Sequence, residues 1–239
     1  MGYLKQYPNA AIPVDGSFLP SSTTDEFEFQ QANNWTEVFP DAHEARPIHA
    51  PRPFITKDPL KITCYVDADH ACNTLTRRSV TGILLLINNT PLVWISRRQT
   101  TVETSTFGSK IIAARTAIDL IIEIRYKLRC LGLQIERSST LVGDNQSVIL
   151  NTTSPASKVK KKHLSCQIMR VREAIASGAI NFAKARSQNN YADGLTKPLP
   201  PLQHHRTFHD FLFRHLDTHS GENIQPHSMP FRHQQPKKK

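Results

Sequence analysis

The chain has 239 residues, a formal net charge of +10 and a sequence pI of about 9.6. That length holds one good-sized domain plus tails, and the basic balance favours a polyanionic partner, nucleic acid first. Four scattered cysteines with no C-x-x-C pair argue against a disulfide framework or a zinc knuckle and for a reducing compartment, and the longest apolar run, Ile83 to Ile87, is far too short to span a bilayer. The N-terminus shows no apolar signal core, and Gln6 stands where N-myristoylation of Gly2 wants Ser or Thr.

Residues 1 to about 60 are rich in Pro, Asn, Ser and Thr, with an acidic patch at Asp25-Glu26-Phe27-Glu28 and no sustained period. They read as a loosely packed arm or linker. Lys61 to Asp69 reads as a buried strand, since Ile62, Cys64 and Val66 alternate with Thr63, Tyr65 and Asp67. It ends in two carboxylates, Asp67 and Asp69. Burying an acid there is costly unless a metal ion or a basic partner neutralises it; the plainer reading is a strand running into a polar turn.

Arg77 and Arg78 lead into a second strand, Ser79 to Ile87. Asn88-Asn89-Thr90-Pro91 is turn chemistry, and Leu92 to Ile95 is a third strand, so these three form an antiparallel meander. The longest helical segment follows, about Thr106 to Leu131. Ile111, Ala114, Ala117, Ile118, Ile121, Ile124 and Leu128 share one broad face, while Arg115, Asp119, Glu123 and Lys127 form an exposed ladder at i+4 steps. Gly132 is its stop.

Thr140 to Asp144 is a fourth strand, again ending in Asp, and Asn145 to Leu150 a short helix. A loop at Ser154-Pro155 and a basic run, Lys158 to Lys162, precede a helix from His163 to Ser177, closed by Gly178. Ile180 to Ala183 is a fifth strand. A terminal helix, about Leu202 to Leu216, precedes a Pro/His/Lys tail. The domains expected are an arm over 1–60, an α/β domain over 61–200, a C-terminal helix over 201–217 and a disordered basic tail over 218–239. Hairpin strands first and crossover strands after predict an α/β fold: a mixed five-stranded sheet, the Asp67 strand central, helices on both faces.

Right-handed crossovers can place the strands ending at Asp67 and Asp144 side by side with their carboxyl ends at one rim. Asp193, after the fifth strand, can reach that rim. Three converging carboxylates repel one another unless cations join them, so a divalent-metal site is the functional reading. Two Mg²⁺ ions about 4 Å apart could activate water and steady the leaving oxygen of a phosphodiester. The competing reading is that Asp144 and Asp193 cap helices.

Cys64-Tyr-Val-Asp-Ala-Asp-His-Ala71, Arg77-Arg-Ser-Val-Thr-Gly82, Trp94-Ile-Ser-Arg-Arg-Gln99, Gly143-Asp-Asn-Gln-Ser147, Lys162-His163 and Ala192-Asp-Gly-Leu-Thr-Lys-Pro-Leu199 occur in this order. Together, over about residues 61 to 216, they closely resemble the RNase H domain of copia-type retrotransposon polyproteins. Gly2 to Pro8 is similar to the end of the reverse transcriptase module that precedes such a domain. The resemblance implies an RNase H-like fold that hydrolyses the RNA strand of an RNA–DNA hybrid with two Mg²⁺ ions held by four acidic ligands. By motif, Asp67, Asp144 and Asp193 match three of these ligands.

The fourth is a glutamate in the first turn of the long helix, and that position here is Lys110. Helical spacing independently puts Lys110 on the inward face with Ala114, Ala117 and Ile121, aimed at the acidic cluster. A cation there repels Mg²⁺ and can itself pair with Asp67 or Asp144. Cys72 and Gly194 depart from the pattern as well: the family favours glycine and an apolar residue at those places. Glu103 precedes the helix and Asp69 lies two residues past Asp67; each is a weaker candidate for a substitute ligand.

Arg77, Arg78, Lys158, Lys160, Lys161 and Lys162 are candidate phosphate-gripping residues, against the plainer reading of a solvated loop. His163 opens a helix and is expected to order that turn. His205/His209 and His215/His219 have i,i+4 metal-ligand spacing but no carboxylate or cysteine in register, which favours surface histidines on an amphipathic helix. Trp94 is expected in core or rim packing. Two readings lead: a hybrid-directed ribonuclease fragment impaired by Lys110, or a catalytically dead nucleic-acid-binding remnant of the same fold; a third, weaker one keeps the activity through a substitute ligand. Each implies RNA–DNA hybrid and the rest of a reverse transcriptase polyprotein as partners, no membrane, and a cytoplasmic retroelement particle or the nucleus as location.

Overall fold

The computed structural model describes residues 27–30, 33–53, 58–159 and 161–212. Six strands make one mixed sheet: β1 (Glu28–Phe29), β2 (Ile62–Asp69), β3 (Val80–Ile87), β4 (Thr90–Arg98), β5 (Ser139–Gly143) and β6 (Ile180–Lys184). Their order across the sheet is β1-β6-β5-β2-β3-β4. β2, β3 and β4 form the expected antiparallel meander, and β5 and β6 add in parallel on the other side of β2. Asn88, in the left-handed region at φ 54°, turns the β3–β4 hairpin, a conformation asparagine tolerates.

Among the described residues, four α-helices, α1 (Thr106–Cys130), α2 (Gln146–Thr153), α3 (Ser165–Ala176) and α4 (Pro201–Leu212), accompany the sheet. Ser105 caps α1 by accepting from the Gly108 N–H at 3.2 Å. Gly132 (φ 71°) ends it, with Gly132 N–H donating to Arg129 O and Leu133 N–H to Leu128 O. The inward stripe of α1, from Ile111 through Ala114, Ala117 and Ile118 to Ile121, is buried against Ile62, Cys64, Val66 and Ala68 of β2. The alanines keep the helix close to the sheet. Ile168, Val171 and Ala174 of α3 close that side.

The opposite face buries Tyr65, Leu84, Leu86 and Val142 under Phe208 and Phe211 of α4. Tyr191 links the layers, edge-on to Tyr65 (4.9 Å) and to Phe211 (4.7 Å). With both faces covered, central β2 reads as a nearly continuous apolar run. A short 3-10 helix, Tyr191–Leu195, crosses so close to β3 that a Cβ on Gly82 would lie 2.5 Å from Ala192 O and 2.7 Å from Thr196 Cγ2. Gly194, one of the departures from the family pattern, is also closely packed: a Cβ there would stand 2.8 Å from the Phe208 ring.

The sheet has one strand more than the five expected, because the arm adds β1 at its edge. Glu28 and Phe29 pair with Lys184 and Ala183 of β6. Two residues are too few to show a period in sequence. Further along the arm, Trp35 is buried and Glu44 docks on α1. Arg125, at the far end of the inward stripe, is fully buried. Its guanidinium donates to Glu44 Oε1 (2.6 Å) and Oε2 (2.9 Å), to Ser139 Oγ (2.8 Å) and to the carbonyls of Glu136 (3.2 Å) and Arg137 (2.8 Å). Every N–H of the fork is thereby used. Residues 1–26, with the stretch similar to the reverse transcriptase end, and residues 213–239, with the expected tail, the end of the terminal helix and His215/His219, lie outside the described residues.

Burial would raise the Glu44 carboxyl, but hydrogen bonds and charge from Arg125 and Arg129 outweigh it and hold the pKa at about 2, against an ordinary 4.5. A depressed carboxylate stabilises the fold above its unfolded pKa and loses that contribution as pH falls through the folded value. Glu44→Gln leaves the Arg125 charge buried and uncompensated, and should cost about 3 kcal/mol at neutral pH. Urea denaturation at pH 7 checks the size. A pH series between 4.5 and 2 should show the natural chain losing stability more steeply than the variant.

Candidate active site at the strand rim

Parallel pairing sets β2 and β5 side by side with Tyr65 opposite Val142. Counting on two residues brings Asp67 and Asp144 level at the carboxyl ends of adjacent strands. Packing of α1 across β2 turns the first helical turn toward them. Lys110 Nζ lies 2.7 Å from Asp67 Oδ1 and 2.5 Å from Asp144 Oδ1. The Asp67 side chain is 4% exposed, that of Lys110 13% and that of Asp144 19%. The remaining carboxylate oxygens are also engaged: Thr196 Oγ1 donates to Asp67 Oδ2 and Ser187 Oγ to Asp144 Oδ2, both at 3.1 Å.

Burial works to lower the pKa of the Lys110 ammonium, but the charges of Asp67 and Asp144 and their hydrogen bonds raise it above its ordinary 10.5. The Lys110 ammonium therefore stays charged across the physiological range. Its contribution to stability is complete below the unfolded lysine pKa and is lost only as pH rises through the higher folded value.

Asp193 stands on the 3-10 helix beside the rim. Asn190 anchors that helix, donating from Nδ2 to Val66 O (2.9 Å) and accepting the Ala192 N–H on Oδ1 (3.2 Å). The Asp193 carboxylate pairs with Lys197 at 2.7 Å. The pKa of Lys197 is raised, first by that hydrogen bond and then, against some desolvation, by the charges of Asp193, Asp67 and Asp69. The rim thus holds a second cation that motif reading passed over. Its signal is the i,i+4 spacing from Asp193.

Glu103 is buried with Oε2 3.6 Å from His163 Nε2 and presses on Gly108. Arg77 and Arg78 are exposed on the β2–β3 turn, which Asn73 organises by accepting the Thr76 N–H on its side chain and the Arg77 N–H on its carbonyl, both at 2.7 Å. Lys161 donates to Ser105 Oγ (2.5 Å) and lies 5.8 Å from the centre of the Phe107 ring, so it ties the basic run to the start of α1. Lys158 and Lys162 are exposed, and Lys160 lies outside the described residues. His205 and His209 face each other at 5.3 Å. Trp94 corrects the expectation of core packing: it lies on edge strand β4 and is 55% exposed.

Three carboxylates around two Mg²⁺ ions do not fit the arrangement observed. The Lys110 ammonium stands between Asp67 and Asp144, and Asp193 turns to Lys197. Among the described residues no three His, Cys, Asp or Glu side chains form a group able to hold a metal ion.

An antiparallel meander extended by parallel strands on the far side of β2, covered by helices on both faces, is the RNase H-like α/β architecture that the motifs imply. In sequence, the chain is similar to the retrovirus-related Pol polyproteins of transposon RE2 from Arabidopsis thaliana (28% identical) and of transposon TNT 1-94 from Nicotiana tabacum (29% identical). These matches cover 59% and 60% of this chain, which spans about a tenth of the length of the curated relatives. No family model matches the chain. Among solved structures it is similar to the N-terminal RNase H domain of a Mycobacterium tuberculosis protein (16% identical, 57% of this chain and 91% of that one, TM-score 0.44). It is also similar to LC11-RNase H1, solved in complex with an RNA/DNA hybrid (16% identical, 56% and 93% covered, TM-score 0.44). No helix among the described residues is long and apolar enough to cross a membrane.

Lys110→Glu puts a third carboxylate against Asp67 and Asp144 and removes their counter-charge. In the absence of divalent cations the variant should melt roughly 10 °C lower than the natural chain. Millimolar Mg²⁺ should recover much of that loss and leave the natural chain nearly unmoved. Scanning calorimetry of both forms with and without Mg²⁺ decides it; equal responses to the ion would remove Lys110 from the site.

Proposed function

We propose that this chain is the RNase H-like segment of a copia-type retroelement polyprotein that holds RNA–DNA hybrid and cleaves it poorly or not at all. The observation that carries the reading is the Lys110 ammonium bonded to both Asp67 and Asp144. A cation in that position costs a Mg²⁺ ion one ligand and adds a repulsion whose lower bound, counting a single charge on the ion, is roughly 4 kcal/mol at 4 Å and an effective dielectric of 20. Converted to affinity, that is about three orders of magnitude, reduced by whatever freedom the lysine has to swing aside.

Binding needs no metal. Arg77, Arg78, Lys158 and Lys162 are exposed, and the whole chain carries +10. Phosphate contacts of this kind release counterions and give salt-sensitive affinity, while hybrid width and 2′-hydroxyls supply preference over DNA duplex. The rest of a reverse transcriptase polyprotein is the partner this reading implies, in a cytoplasmic retroelement particle or in the nucleus.

Two measurements test it. Hybrid affinity should fall steeply between 50 and 200 mM salt; a flat response would remove the phosphate contacts. In Mg²⁺ the natural chain should leave a labelled hybrid intact over hours, whereas Lys110→Glu should gain measurable cleavage. Cleavage by the natural chain as fast as by the variant would overturn the inactive reading and return Asp67, Asp144 and Asp193 to an ordinary metal site.

A further inference from the structure

Among the described residues β4 is an edge strand, paired with β3 alone. Val93 and Ile95 pack against the core on the α1 side. The two-residue period of a strand puts Leu92, Trp94, Ser96 and Arg98 on the opposite face. The 3-10 helix that covers β3 stops short of them, leaving Trp94 55% and Leu92 44% exposed. At the rim end of the strand Arg97 and Arg98 are both exposed. Val80 pairs with Arg98 and Asp69, so the turn bearing Arg77 and Arg78 stands alongside. None of these four arginines forms an ion pair with another described residue.

We propose that this strip is a track for an unpaired nucleic-acid strand, with a base stacked on the Trp94 indole and phosphates held by Arg98, Arg77 and Arg78. It rests on the nucleic-acid reading above and adds a ligand class to it: a single-stranded extension leaving the hybrid at the rim. The chemistry selects this occupant. An apolar protein surface laid on Trp94 would leave several guanidinium groups desolvated without partners. A polynucleotide offers a π-face and an anion at each repeat, and stacking on an aromatic ring beside cations is how such strands are held regardless of sequence. The strip itself, from Leu92 to Arg98, carries no carboxylate.

The test compares a blunt RNA–DNA hybrid with the same hybrid bearing an unpaired extension of about six nucleotides, within the range one such platform covers. The full chain should bind the extended form about tenfold more tightly. Trp94→Ala should lose that gain and still bind the blunt hybrid as the natural chain does, which also shows that it is folded; Trp94→Phe should keep most of the gain. Arg98→Ala should reduce the salt slope of the extension's contribution by about 0.7, the single-strand value for one phosphate. Because Trp35 is buried, quenching of exposed tryptophan emission by the extension reports Trp94 directly. Equal affinity for blunt and extended hybrids overturns the track and leaves the hybrid-binding reading standing. Failure to bind either overturns both. Self-association that Trp94→Ala abolishes would assign the strip to a second copy of this chain and overturn the proposal.

Discussion

One buried cation organises the rim. Adjacent parallel strands bring two carboxylates level, and neither could stay ionised there alone without a heavy desolvation cost. Lys110 meets both from the first turn of α1, while Thr196 and Ser187 take the outer oxygens. The helix, both strands and the loops after β6 are therefore tied together at one ammonium. What a divalent ion would supply from solution, this chain supplies from its own Lys110 side chain. Its cation is permanent and positioned by the fold, but it offers no Lewis acidity and no bound water.

The other end of α1 repeats the device. Arg125 lies fifteen residues further along the same inward stripe, about 22 Å by helical rise, and is neutralised by Glu44 from the arm. Between the two cations the stripe is alanine and isoleucine. α1 is thus held to the sheet by apolar packing along its length and by Lys110 at one end, and to the arm by the Arg125–Glu44 ion pair at the other. The second pair explains why a stretch with no periodicity belongs to the fold. Glu44 gives the arm one strong, fully hydrogen-bonded anchor, and β1 gives it an edge to pair with.

The two ends differ in consequence. At the Arg125 end the guanidinium fork is saturated by side-chain and carbonyl oxygens, so the ion pair is a structural joint. At the rim, the carboxylates face the exposed arginines of the β2–β3 turn and the basic run that Lys161 moors to the start of α1. One ammonium halves the charge of the carboxylate pair, and the exposed cations around it supply the attraction to phosphate. On the proposed reading, nucleic-acid affinity and loss of metal chemistry both trace to Lys110.

Much of this was legible in the sequence because it depends on local spacing. Alternation in Ile62 to Asp69, the stripe of α1 and the Gly132 stop needed no partner to be recognised, and the 3.6-residue period alone aimed Lys110 inward. Residues acting across long separations were not legible. Glu44 and Arg125 are 81 positions apart, and nothing local distinguishes that glutamate from a solvated one. β1 is two residues long. Trp94 has the composition of a core residue, and only the position of β4 at the sheet edge exposes it. Lys197 engages Asp193 because the 3-10 helix fixes their geometry beside the rim. The sequence by itself determined which elements form and which face of each is apolar, since backbone propensity and period are properties of a few neighbouring residues. Tertiary structure alone decided which charges meet, because pairing depends on distances that only the assembled sheet and its covering helices set.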